Sequence, residues 1–219
     1  MVVSGSLFCR IKKWYFEAFR QGGERIYLIS DLHLGHSAII GYCGRPFRDV
    51  TRMNEALVRG WNRVVRREDT VYHLGDFVFG EHPRHFRSRL KGRKRFIRGN
   101  HDRKLRGARP SVVIDHQGYR FFLCHSPEDR PKEWDGWVVH GHTHNHRSRY
   151  PFINGDLRTI NVSCELTGYA PVSLDYIISL DPESIKRMET VYSEPERKPS
   201  QSLFQDPTDR PDLGDHLGV

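Results

Sequence analysis

At 219 residues, 37% of them hydrophobic, the chain can bury one sizeable core, and its length fits one domain with room for an appendage. No apolar run reaches the roughly 18–20 residues of a bilayer-spanning helix, and Arg10, Lys12 and Lys13 interrupt any N-terminal secretory segment, which leaves a cytoplasmic protein as the expectation. The net charge of +8 is uneven: residues 189–219 hold three Lys/Arg against seven Asp/Glu, while residues 84–109 hold twelve Lys/Arg and one acid, Asp102, a field that favours anionic partners.

Residues 1–24 space Leu7, Ile11, Trp14, Tyr15, Ala18 and Phe19 along one face of a basic amphipathic helix, ended by Gln21-Gly22-Gly23. This segment is expected to be an N-terminal extension docked on the body. Arg25 to Ser30 has the composition of a buried strand and delivers Asp31-Leu32-His33. In extended chain Asp31 and His33 would share a face. Thr51 to Val65 then places Met53, Leu57, Trp61 and Val64 at helical intervals, which predicts a helix covering a sheet. Thr70 to Leu74 is a second strand and ends in Gly75-Asp76. Residues 82–93 are predicted as a second helix, and Lys94 to Arg98 as a third strand that ends in Gly99-Asn100-His101-Asp102. Strands alternating with helices imply parallel pairing, and in such sheets ligands collect beyond the carboxyl ends of the strands.

The second half changes character. Ser111 to Asp115 and Tyr119 to Cys124 flank Gln117-Gly118 as a hairpin, and the second strand ends at His125. Trp137 to Val139 ends in His140-Gly141-His142-Thr143-His144. Thr159 to Val162 and Val172 to Leu180 read as further strands, so this half is expected to be mainly antiparallel. From Glu189 the chain is acidic, contains Pro195, Pro199, Pro207 and Pro211 and lacks periodicity. The domain is therefore placed at 25–188, and 189–219 is expected to be a disordered or loosely docked tail. Cys9, Cys43, Cys124 and Cys164 form no C-x-x-C pair, so neither a zinc knuckle nor a disulfide framework is indicated.

Asp31, His33, Asp76, Asn100, His125, His142 and His144 offer oxygen and nitrogen donors without a thiolate. A single catalytic zinc uses about three protein ligands, so seven suit two divalent cations sharing one carboxylate, with Asp76 the natural bridge. Such a donor set accommodates Mn, Fe, Zn or Ni and does not choose among them.

In order along the chain, D-x-H (Asp31, His33), G-D (Gly75-Asp76), G-N-H-D (Gly99 to Asp102), a lone His125 and G-H-x-H (Gly141 to His144) resemble the pattern of the calcineurin-like metallophosphoesterases. The flanking residues around Gly35-His36, Arg45-Pro46-Phe47 and Trp61-Asn62 resemble the small single-domain branch of that family. The resemblance implies an α/β fold, a four-layer α/β/β/α sandwich of two mixed sheets flanked by helices. It implies one metal on Asp31, His33, Asp76 and His144, a second on Asp76, Asn100, His125 and His142, and attack on a phosphate mono- or diester by a hydroxide bridging the two. A diesterase is favoured over a monoesterase, and manganese over iron, zinc or nickel. His101 is expected to protonate the leaving oxygen or to stabilise charge on the phosphoryl group, with Asp102 orienting its ring, and Arg45 and His36 are expected to contact substrate. The expected partner is a phosphate ester, including nucleotides or nucleic acid. The alternative is a nucleic-acid-binding module or nuclease that uses the basic body, with ester hydrolysis secondary.

Overall fold

The structure, a computed structural model, describes residues 23–80, 82–146 and 148–198. The predicted N-terminal helix lies outside them. Three parallel strands, β1 (Ile26–Ile29), β2 (Thr70–Leu74) and β3 (Arg93–Ile97), form the first sheet with the short β9 (Val172–Ser173) antiparallel at the β1 edge, in the order β3-β2-β1-β9. The second sheet runs β11-β10-β7-β8-β6-β5-β4. Its strands are β4 (Ser111–His116), β5 (Tyr119–Cys124), β6 (Trp137–His140), β7 (Ile153–Asn154), β8 (Thr159–Asn161), β10 (Ile185–Met188) and β11 (Glu196–Arg197).

Strand alternation divides the core. Tyr27 and Ile29 of β1 face a cluster with Met53, Leu57 and Trp61, whereas Leu28 between them faces Phe121, Leu123, Trp137 and Ile160 of the second sheet. The sheets therefore pack face to face, with helices α1 (Ala38–Tyr42) and α2 (Val50–Val64) outside the first. The α2 helix begins at Asp49, whose side chain accepts the Arg52 amide at 2.8 Å, and it buries the expected stripe. On the outer face of the second sheet, Phe122, Cys124 and Val138 form a small cluster closed by Trp134.

Three expectations change. The second half is mixed, since β5 pairs parallel with β6, and β6 with β8. Residues 172–180 turn into helix α4 (Leu174–Ser179) after two strand residues, because Ser173 caps the Tyr176 amide and Leu174 and Ile177 repeat at helical spacing. A short apolar run does not distinguish these states on its own. The helix predicted over 82–93 contracts to α3 (Pro83–Arg87); Gly92 follows at φ 78°, a left-handed turn that leads into β3. Beyond Glu189 the chain stays on the body as far as Lys198, with Val191 buried and β11 paired to β10.

The strand ends meet at one place. Just past β1 and β8, Ser30 and Ser163 form a parallel bridge between the two sheets, with Ser30 N donating to Val162 O at 2.9 Å and Cys164 N to Ser30 O at 3.1 Å. This stitch fixes the edge at which the candidate residues gather.

Candidate metal centre

Beyond the ends of β1, β2 and β6 the backbone leaves the extended region abruptly. Asp31, His33, Asp76, His142 and His144 all have positive φ, between 47° and 66°. A non-glycine residue in this region costs about 1–3 kcal/mol and persists only where its surroundings over-determine it. Here Asp31 N donates to Gly75 O and His33 N to Asp76 O, so two strained turns lock against one another. Asp31 and His33 thus converge through left-handed turns and not through strand alternation as expected. Gly141 and Gly99 are required by close approach: a Cβ on the first would overlap Ser30 and Asp31, and one on the second would overlap Asp76.

Three groups of donors result: Asp31, His33 and His144 lie together, as do Asp31, Asp76 and His125, and Cys43, His144 and Glu165. One oxygen of Asp76, Oδ2, is 3.4 Å from His33 Nε2 and 3.5 Å from His125 Nε2. Asn100 Oδ1 is 2.9 Å from His125 Nε2, and the His142 ring centroid is 4.9 Å from that of His125. His144 Nε2 lies 3.9 Å from Asp31 Oδ1. All seven sequence-predicted donors are therefore at this edge. The donor set fits divalent cations: His33 Nε2 is buried without a hydrogen-bond partner and faces a carboxylate, while His125 Nδ1 donates to Leu74 O at 2.8 Å, which turns Nε2 toward Asp76.

The electrostatics separate these groups. Burial lowers His33 to about 3 despite the pull of Asp76, keeping its lone pair free. Burial also works against charge on His125, but Asp76 and Asp31 outweigh it and raise the group to about 9. Asp76 resists its own burial because His125 and the His101 amide hold its carboxylate well below the usual range.

Two candidate residues make contacts other than those expected. Arg45, expected to contact substrate, is 4% exposed; it donates to Leu32 O, Asp31 O and Glu165 Oε1, so it braces the first turn from beneath. Asp102, expected to orient His101, instead accepts from the backbone amides of Asp76 at 2.7 Å, Phe77 at 3.0 Å and Gly99 at 3.0 Å. It ties the β2 turn to the β3 turn. His101 itself is at the open side: its amide donates to Asp76 Oδ1, its side chain is 41% exposed, and Nε2 lies 4.0 Å from Asp76 Oδ2.

His36, the other expected substrate contact, stacks on Phe79 with ring centroids 4.1 Å apart. Phe79 reaches His101 at 5.6 Å, and Tyr42 flanks His36 at 6.3 Å. The sequence reading missed Phe79, Tyr42 and Glu165. Glu165 Oε1 receives His144 Nδ1 at 3.1 Å and the Arg45 guanidinium at 2.7 Å; these contacts hold its carboxylate at about 2 against burial. It follows β8 directly in the run Ser163-Cys164-Glu165, so the signal of polar residues at a strand end was present for it. Ser163 Oγ also donates to Asp31 Oδ2 at 2.9 Å.

The chain is similar to known proteins. A family model described as the calcineurin-like phosphoesterase superfamily domain matches residues 25–163. An uncharacterized protein of Methanocaldococcus jannaschii is 47% identical over 163 residues, covering 72% of this chain and 91% of its own length. The gene 66 protein of Mycobacterium phage L5 is 32% identical over 157 residues, covering 53% of this chain and 75% of its own. A crystal structure of a protein of unknown function from Aquifex aeolicus aligns with a TM-score of 0.58 at 25% identity, covering 72% of this chain and all of that one. The family model spans the strand ends that carry the site, and the chain belongs to the calcineurin-like phosphoesterase superfamily.

Proposed function

We propose that this chain is a dinuclear metal-dependent phosphoesterase, with Asp31, His33, Asp76 and His144 holding one divalent cation and Asp76, Asn100, His125 and His142 the other. The observation that carries the reading is the single Asp76 oxygen lying between His33 and His125, which sets one carboxylate between a histidine of each proposed ligand set. Two cations held by these residues would supply a water of lowered pKa and charge to neutralise phosphoryl oxygens. The chain supplies the rest. His142, on the exposed side of His125, closes the second donor group, and the buried Asp31 and Asp76 carry its negative charge. His101, exposed at the rim and anchored through its amide to Asp76, is placed to hand a proton to the departing ester oxygen. Its reach to solvent lets the imidazole reprotonate between turnovers. A diester suits this rim better than a monoester, since the open side leaves room for a second substituent beside His101. Manganese is the cation favoured on the family resemblance, since the mixed oxygen and nitrogen donors by themselves accommodate Mn, Fe, Zn or Ni.

The test is hydrolysis of bis-aryl and mono-aryl phosphates by the purified chain reconstituted with Mn, Fe, Zn or Ni. Metal-dependent turnover of the diester, greater with Mn than with the others, is the expected result. Stoichiometric binding of metal with no turnover of either ester under any of the four would overturn the assignment.

A further inference from the structure

A second feature lies outside the metal centre. An open groove of about 970 Å³ runs along the exposed edge of the first sheet, lined by Arg84 and Arg87 of α3, Arg93 and Arg95 of β3, and Lys104 and Arg106 of the following loop. Among the described residues, no carboxylate lines it. Arg93 is paired with Glu24, and the Arg87 guanidinium sits over Phe96. Arg84, Arg95, Lys104 and Arg106 are exposed and form no salt bridge among the described residues. Lys94 beside them is lowered by burial and by the Arg87 guanidinium.

Two segments that line the groove lie close in sequence to the site rim. Pro83 and Arg84 follow Phe79 within a few residues, and Lys104 begins three residues after His101. The rim carries two of the exposed large hydrophobic side chains, Tyr42 at 68% and Phe79 at 40%, grouped with His36 and His101. Phosphate-binding cations leading to exposed aromatic faces are the arrangement that holds a single-stranded nucleic acid, the cations tracking its backbone and the rings stacking unpaired bases. A plain polyanion would use the cations and leave the rings idle.

We infer that the groove is a binding track for single-stranded nucleic acid, delivering a phosphodiester to the metal centre with a base stacked on Phe79. This names a substrate class for the site and rests on the phosphoesterase reading. The track itself works by cation and ring contacts that need no metal. Fluorescence anisotropy with a labelled 20-nucleotide oligo-dT and the full chain in EDTA, over a salt series, measures it apart from catalysis. Bis-aryl phosphate hydrolysis with Mn is followed in parallel. The combined variant Arg84→Gln, Arg95→Gln, Lys104→Gln, Arg106→Gln is expected to lose at least about tenfold in affinity at low salt and to flatten the salt slope by about 3, while aryl ester turnover and the unfolding midpoint stay as in the parent. Phe79→Ala should weaken oligonucleotide binding by about fivefold or more. Absence of oligonucleotide binding in a chain that hydrolyses the aryl ester would overturn the track and leave the phosphoesterase reading standing. Binding without hydrolysis would do the reverse. Inorganic polyphosphate bound as tightly as oligo-dT, with Phe79→Ala neutral, would reduce the groove to a general polyanion surface and sink the nucleic-acid assignment.

Discussion

The two halves of the metal centre stand on different supports. Around Asp31, His33 and His144 the support is made of buried charged side chains: Arg45 reaches from beneath to the Asp31 and Leu32 carbonyls and to Glu165, and Glu165 in turn takes His144. Around Asp76, Asn100 and His125 the support is main chain: Leu74 O receives His125, and Asp102 gathers three amides from two turns. A side-chain support sets the orientation and basicity of one ligand. A main-chain support sets the path of the whole turn. Damage to the first should therefore appear in metal affinity, and damage to the second in folding.

The comparison breaks most completely at the one residue both halves share. Asp76→Asn removes the charge between the groups, and turnover of a bis-aryl phosphate should fall to background with loss of stoichiometric metal; an active variant would end the bridged arrangement. His101→Ala lies on neither support and should keep the metal content while lowering turnover by about 10²–10⁴-fold, checked by metal analysis beside steady-state rates. Next comes Asp102→Ala, which leaves the amides of Asp76, Phe77 and Gly99 without their acceptor and should cost about 2–4 kcal/mol in urea unfolding. Glu165→Gln should fold nearly as the parent yet bind one of its two cations about 10–100-fold more weakly, visible as a split metal titration. If Glu165→Gln instead lost stability and Asp102→Ala lost only affinity, the division of supports would be the wrong way round.

The smallest expected effect concerns a histidine beneath the main-chain side. His73 in β2 is fully buried among Phe77 and Phe96, and burial lowers it to about 3 from 6.5. The unfolded chain therefore takes up a proton near 6.5 that the folded chain refuses until about 3, so acidification through that window favours unfolding. His73→Leu should recover roughly 1–2 kcal/mol of the stability lost between pH 7 and 5. Equal pH slopes for the two proteins in denaturant titrations would remove His73 from the account.

Much of this was legible in the sequence, and the reason is local. Each candidate donor follows an apolar run, so the order of strand and polar turn announced Asp31, Asp76, Asn100, His125 and His142 before any contact was known. The α2 helix was equally legible, since one apolar stripe through Met53, Leu57 and Trp61 defines it. The α4 helix was not, because Val172 to Leu180 is too short for its periodicity to separate helix from strand, and a single Ser173 hydroxyl settled the matter. Arg45, Asp102 and Glu165 were misjudged or passed over for a different reason: a charged side chain carries no mark in the sequence of whether it will face solvent or be buried.

By itself, then, the sequence determined which side chains gather at the strand ends, because hydrophobic runs and the polar residues that end them are properties of neighbouring residues. Only the tertiary structure decided how they are held: the left-handed turns at Asp31, His33 and Asp76, the Ser30–Ser163 stitch between the sheets, and the exchange of Asp102 and Arg45 from chemistry to support. These depend on groups from distant parts of the chain meeting in a buried space, where each unpaired amide or charge must find its partner.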